Sequence, residues 1–334
     1  MTRRQNLLRW AVFLLTTLLS LTAPGRLVAQ TQPSAEKLKK VILAVPSISV
    51  SNMPAVMAKE LGYYRQEGLD VEIVLMRAGL SVQALVSDSV DFTGTPGSTV
   101  AAAVRGIKLY VLMAYADRPL YDLIARPEVS TYKELRGKLF GVGSLSGFSF
   151  EIPQVMLAQN GLDPKKDLNM ILVGPTETRL TALRTNAIQA TILEPPYNFV
   201  ALKEGFRKLG YSGDYYRTLQ GALTVSERKV NSEAEEVGRF VKATLRGLHA
   251  YRDQRNAALY LMRRFLNLND ANLAEQIYDY HQRTLTTDGT VSEEIMRSMI
   301  ESYRQSGKVS RPVSVEEVFR FDFVRAAQKE LKRK

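Results

Sequence analysis

Between Val41 and Leu193, short β-rich apolar runs alternate with stretches of helical length, and this alternation limits the possible folds more than any other feature of the chain. VILAV (Val41 to Val45), VEIVL (Val71 to Leu75), DFTGT (Asp91 to Thr95), LYVLMA (Leu109 to Ala114), LFGV (Leu139 to Val142), MILV (Met170 to Val173) and IQATIL (Ile188 to Leu193) read as strands separated by helices. Strand–helix–strand order requires crossovers, which predicts an α/β protein with parallel sheets. Such sheets gather loops and helix amino termini at the carboxyl ends of their strands, where ligands bind. After about residue 226 the period changes. EVGRFVKATLRGLHAYRD, AALYLMRRFLNL, EEIMRSMIESYRQSG and VEEVFRFDFVRAAQKELKRK place apolar residues at helical spacing, predicting a helical carboxy-terminal tail that packs rather than forms a site.

Composition excludes several chemistries. With 334 residues, 45% of them hydrophobic, the chain is long enough for two lobes. It has no cysteine, so disulfides, thiol nucleophiles and thiolate metal sites do not arise. His249 and His281 lie in charged helical stretches and read as surface residues, leaving little material for a histidine triad or metal cluster. No metal or cofactor is expected.

The amino terminus indicates where the protein works. Residues 1–29 combine basic Arg3, Arg4 and Arg9 with an apolar run from Trp10 to Leu21, followed by Leu27-Val28-Ala29. This reads as a secretory signal peptide cleaved before Gln30, its core short for a bilayer span; the alternative is an uncleaved anchor. Without cysteine there is no lipoprotein attachment. Losing Arg3, Arg4, Arg9 and Arg26 takes the 45 basic residues to 41 against 34 acidic ones, a net +7. The excess is spread along helices that also carry acids, as in SEAEEVGRFVKATLRG, and this argues against a nucleic-acid partner.

Two loops carry candidate binding chemistry. In GVGSLSGFSF (141–150), Gly141 and Gly143 begin a GxGxxG pattern, but Ser146 takes the third position and Gly147 comes one place late. The loop is better read as backbone N–H groups and serines presented to something small and polar than as a nucleotide site. In PSISVSNMP, Ser47, Ser49 and Ser51 follow a strand and precede a helix opened by Pro54. They can line the mouth of a cleft; equally, one of them, or Asn52, can cap the helix while the others face water.

NMPAVMAKELGYYRQEGLDVEIV, ALVSDSVDFTGTPGSTVAAAVRGIKLYVLMA, YKELRGKLFGVGSLSGFSFEIPQVMLAQNGL and ALRTNAIQATILEPPYNFVALKEGF, in this order over roughly residues 40–225, resemble the periplasmic solute-binding proteins of nitrate, sulfonate, taurine and thiamine-precursor ABC importers. One departure is SDSVDF, where Asp88 or Ser89 fills a turn that is usually glycine. The resemblance implies a two-lobed periplasmic-binding-protein fold of type II, with crossings near Ala116 to Leu120 and Asp214 to Leu219. Lobe 1 would be 38–117 with 219–334 including the helical tail, and lobe 2 would be 118–218. It also implies that GVGSLSGFSF faces GTPGST across the cleft, where helix amino termini hold a ligand without a charged side chain.

The expected ligand contacts are therefore Ser47, Ser49, Thr95, Pro96, Gly97, Ser144, Ser146, Gly147 and Ser149, joined by Glu194 in ATILEPPYNF and by the rings of Tyr115 and Tyr197. Glu194 has a plainer reading, a surface acid at a helix amino terminus. If it faces the cleft, it disfavours a bare anion and favours a small organic solute carrying a donor. The expected function is capture of such a small-molecule ligand in the periplasm by a soluble monomer and its delivery to an ABC importer permease, not enzymatic turnover. The rival readings are a thiamine-precursor-type enzyme and an exported ligand sensor.

Overall fold

The computed structural model describes residues 38–145, 148–215 and 217–332. The expected export segment, 1–29, lies outside the described residues. The strands are β1 (Lys39–Val45), β2 (Leu69–Leu75), β3 (Phe92–Thr93), β4 (Leu109–Ala116), β5 (Asp122–Ala125), β6 (Leu139–Val142), β7 (Asn169–Leu172), β8 (Ala190–Leu193), β9 (Arg207–Tyr211) and β10 (Gln220–Ser226). They form two five-stranded sheets, ordered β2-β1-β3-β10-β4 and β7-β6-β8-β5-β9.

The parallel expectation holds only for part of each sheet. β1 runs parallel to β2 and β3, and β6 runs parallel to β7 and β8, as crossover helices require. β10 is antiparallel to β3 and β4, and β5 is antiparallel to β8 and β9, so both sheets are mixed. The cause is connectivity. β10 returns from the second sheet and inserts between β3 and β4 against the chain direction of its neighbours.

The chain passes between sheets twice, from Ala116 to Asp122 and from Tyr211 to Gln220. These crossings run side by side. Gln220 pairs with Ala116 at one end and Asp122 with Tyr211 at the other, while Ser212 N donates to Tyr121 O (2.8 Å) and Tyr121 N to Ser212 Oγ (3.0 Å).

Beyond β10 the described chain forms helices joined by loops, and the tail builds onto the first sheet. β4 is buried along its whole length although it ends the sheet order, because Val111 N donates to Val318 O (2.8 Å) and Ala114 N to Gly289 O (2.8 Å). The tail thereby covers an edge that would otherwise present unpaired backbone groups. The helix Ala234–Asp253 sends Phe240 between Tyr64 (4.7 Å) and Phe92 (4.0 Å), and its Gly247 packs directly on the Pro54 carbonyl of the helix Met53–Glu60. Ser226, Asp270 and Ser292 cap the helices Glu227–Ser232, Ala271–Gln282 and Glu293–Ser306. Among the described residues no helix is long and apolar enough to cross a membrane.

His281 corrects the expectation of surface histidines. It is fully buried, with Nδ1 3.2 Å from the Tyr251 hydroxyl, because its position on the helix Ala271–Gln282 faces the cluster around Tyr251 and Met262.

Candidate functional site

A cavity opens at the carboxyl ends of the parallel strands, lined by loops from both sheets. The first sheet supplies the loop after β1. There Ser49 accepts a bond from Ser51 N (3.3 Å) and caps the short 3-10 turn Val50–Asn52. Asn52 donates instead to the Ser47 carbonyl (2.7 Å), so capping falls to Ser49 and frees the other hydroxyls. After β3, Thr95 stands at the amino end of the helix Pro96–Val104 but spends its side chain on Thr93 (2.8 Å). The amino end of that helix is left facing the cavity at Gly97 and Ser98.

At Gly97 the first sheet's side of the cavity meets Phe148 of the second closely. A Cβ there would lie 2.9 Å from Phe148 Cδ1 and 2.9 Å from the Tyr303 hydroxyl, so only glycine permits this approach. Phe148 opens the helix Phe148–Gln159 after β6, where Ser144 N donates to Ser149 Oγ (3.2 Å).

Arg179 organises the second sheet's side of the cavity. Its guanidinium donates to Gly174 O (2.9 Å), Thr176 Oγ1 (3.1 Å) and Ile192 O (3.1 Å), tying the end of β8 to the turn after β7. A Cβ at Gly143 would overlap its Nη1, which explains a glycine at the end of β6. Burial pulls the Arg179 pKa down, opposed by the nearby Tyr121, Glu194 and Glu177.

Glu194, at the end of β8, crosses the cavity to the other sheet. Ser47 Oγ donates to Oε1 (3.0 Å), Ser51 Oγ donates to Oε2 (2.9 Å), and Thr176 Oγ1 reaches Oε1 at 3.4 Å from its own side. Backbone follows the same route, with Val50 N donating to Pro195 O (3.4 Å). Burial raises the Glu194 pKa, while the bonds from Ser51, Ser47 and Ser49 and the charge of Arg179 oppose that rise. Thus a relay of Arg179, Thr176, Glu194 and the Ser47–Ser51 loop spans both sheets. Tyr121 lies beside it, its phenol pushed up by burial and by Glu194, with a hydrogen bond from Gln220 acting the other way.

Of the residues singled out from sequence, Ser47, Ser49, Thr95, Pro96, Gly97, Ser144, Ser149 and Glu194 line this one cavity. Ser146 and Gly147 lie outside the described residues. Tyr115 and Tyr197 are not among the lining. Tyr115 is buried behind the return strand, against Gly221, and Tyr197 packs on the apolar cluster of Leu180, Leu183 and Leu193. Sequence reading missed Arg77, Tyr121, Phe148, Thr176, Arg179 and Gln220. A signal for Thr176 and Arg179 was present, since Gly174-Pro175-Thr176 joins a strand to a helix much as Gly94-Thr95-Pro96 does. Tyr121 and Gln220 flank the crossings, and nothing local marks them.

A family model described as "NMT1/THI5 like" matches residues 50–258. The riboflavin-binding protein RibY of Chloroflexus aurantiacus is 26% identical over 322 residues, covering 88% of this chain and 87% of that protein. Two solved structures share the fold. The alkanesulfonate-binding protein SsuA from Xanthomonas axonopodis pv. citri, bound to MOPS, has a TM-score of 0.71 at 15% identity, covering 84% of this chain and 98% of its own. The periplasmic nitrate-binding protein NrtA from Synechocystis PCC 6803 also has a TM-score of 0.71, at 16% identity, covering 90% and 91%.

Proposed function

The chain belongs to the NMT1/THI5-like family, and from that premise we propose that it is an extracytoplasmic solute-binding protein, which captures a small organic solute between its two sheets and delivers it to an ABC importer. One observation carries the reading: a single cavity receives polar groups from loops of both sheets, and Glu194 of one sheet is hydrogen-bonded by Ser47 and Ser51 of the other. A ligand held there touches both halves, so binding favours their approach. The lobes are 38–117 with 219–334, and 118–218. The binding names of RibY, SsuA and NrtA support capture rather than turnover.

The solute is organic rather than a bare inorganic anion. Glu194 places a buried carboxylate in the lining, and an anion brought beside it meets a desolvated like charge that Arg179 offsets only in part. Tyr121 and Phe148 bring aromatic rings to the lining, which accords with riboflavin as the ligand named for the relative RibY. Export rests on the signal-like residues 1–29, which give a mature chain beginning near Gln30, a monomer acting in the periplasm with a membrane permease as its partner.

A thermal-shift panel of riboflavin, pyrimidines, taurine, alkanesulfonates and nitrate tests the proposal. A ligand at a hundred times its dissociation constant stabilises the fold by about 2.7 kcal/mol, a visible rise in melting temperature. The expected result is a rise with an organic member and none with nitrate. Tight nitrate binding would overturn the ligand class, and turnover of the bound molecule would overturn the binding role.

A further inference from the structure

We propose that Gln220 selects the solute by requiring it to bring a hydrogen-bond donor, an N–H or O–H, to the Gln220 side-chain oxygen. The proposal rests on the solute-binding reading above and names the chemistry that this reading leaves open.

Gln220 is the first residue of β10, at the end of the return crossing, and it is 3% exposed while lining the cavity. Its amide orientation follows from its neighbours. Ser51 has one hydroxyl hydrogen, given to Glu194 Oε2 (2.9 Å), so toward Gln220 it can only accept. Gln220 Nε2 therefore faces Ser51 Oγ (3.4 Å), and the carbonyl oxygen turns the other way. That oxygen, Gln220 Oε1, is buried and has no partner among the described residues.

Two other lining residues carry buried polar atoms without partners, Ser98 Oγ and Arg179 Nε. They differ in what they can take. Arg179 Nε only donates, and a serine hydroxyl donates or accepts, so an acceptor group on the solute satisfies both. Gln220 Oε1 only accepts. A plain oxyanion answers Ser98 and Arg179 but leaves Gln220 Oε1 desolvated and unpaired, the arrangement that costs affinity most. A solute with an N–H beside an acceptor, such as an amide, ureide or cyclic imide, answers all three. The selecting atom is also tied to the cross-sheet relay, because Ser51, which fixes the amide, is the residue that bonds Glu194.

The test uses matched probes on the full-length mature protein by titration calorimetry: uracil against its N,N′-dimethyl form, riboflavin against its ring-N-methyl form, and taurine against its trimethylammonium form. Wild type, Gln220→Met and Gln220→Glu are compared, with unliganded melting curves confirming that each variant folds. For at least one pair, wild type should prefer the donor-bearing member by about tenfold or more. Gln220→Met should bring that ratio close to one, and Gln220→Glu, which keeps an acceptor, should preserve it. A ratio unchanged by Gln220→Met, or donor-free members bound as tightly as their partners by wild type, overturns the selection by Gln220 while leaving solute binding standing. If no probe binds wild type, the solute-binding reading falls and this proposal with it.

Discussion

Burial pushes the His281 imidazole down to about 3, from an ordinary value near 6.5. The unfolded chain therefore takes up this proton first as pH falls. Stability is fully present above about pH 6.5 and is lost progressively as pH drops toward 3, by about 2 kcal/mol at pH 5. Melting curves at pH 7.5 and pH 5 should show this, and His281→Gln should shrink the difference; an equal drop in the variant would mean that other groups carry the acid sensitivity. The sequence around His281 is polar (YDYHQRT), which is why it reads as surface; its burial comes from Tyr251, 30 positions away in the chain. The cavity divides along the same line. Serines and glycines following strands were legible because strand-to-helix turns have local chemistry. Glu194 could be read as a candidate but not as a carboxylate bonded from the opposite sheet. Gln220 could not be read at all, since its meaning depends on Ser51, 169 positions earlier.

One helix offers a test of opposite signs. In Ala234–Asp253, a Cβ at Gly247 would collide with the Pro54 carbonyl and lie 2.8 Å from Ala58 Cβ, whereas a Cβ at Gly238 meets nothing within 4 Å. Alanine gains about 0.5–1 kcal/mol over glycine in a helix, while overpacking costs about 1–3 kcal/mol. Gly238→Ala should raise stability and Gly247→Ala lower it in chemical denaturation; stabilisation by both would show that the two helices can separate freely. At this scale every strand read from the sequence forms, though DFTGT yields only the two-residue β3. β5, β9 and β10 went unread for separate reasons. β5 is four residues long, β9 is a charged edge (RKLGY) with little burial, and β10 begins at Gln220-Gly221 with Gly221 at φ +66°. Two of them, β5 and β10, are the strands that run against their neighbours and make the sheets mixed, and all three adjoin the crossings that carry the chain between halves.

For the molecule as a whole, the bonds from Ser47 and Ser51 to Glu194 draw the halves together. Hydrogen bonds to a charged group are worth about 1.5–3 kcal/mol each, so Ser47→Ala with Ser51→Ala should move the population toward an open form by at least about tenfold. Small-angle scattering should then give a larger radius of gyration, and an unchanged radius would show that closure is held elsewhere, as at Gly97 and Phe148. The order of family-like segments made the overall architecture legible from the sequence, because that order is a property of the whole chain. The side-by-side crossings add a mechanical limit. Joined through Tyr121 and Ser212 and paired at both ends, they behave as a strip rather than a swivel. A strip bends out of its plane more readily than it shears within it. Opening about such a strip is chiefly a bend, so spans measured across the mouth should lengthen and shorten together.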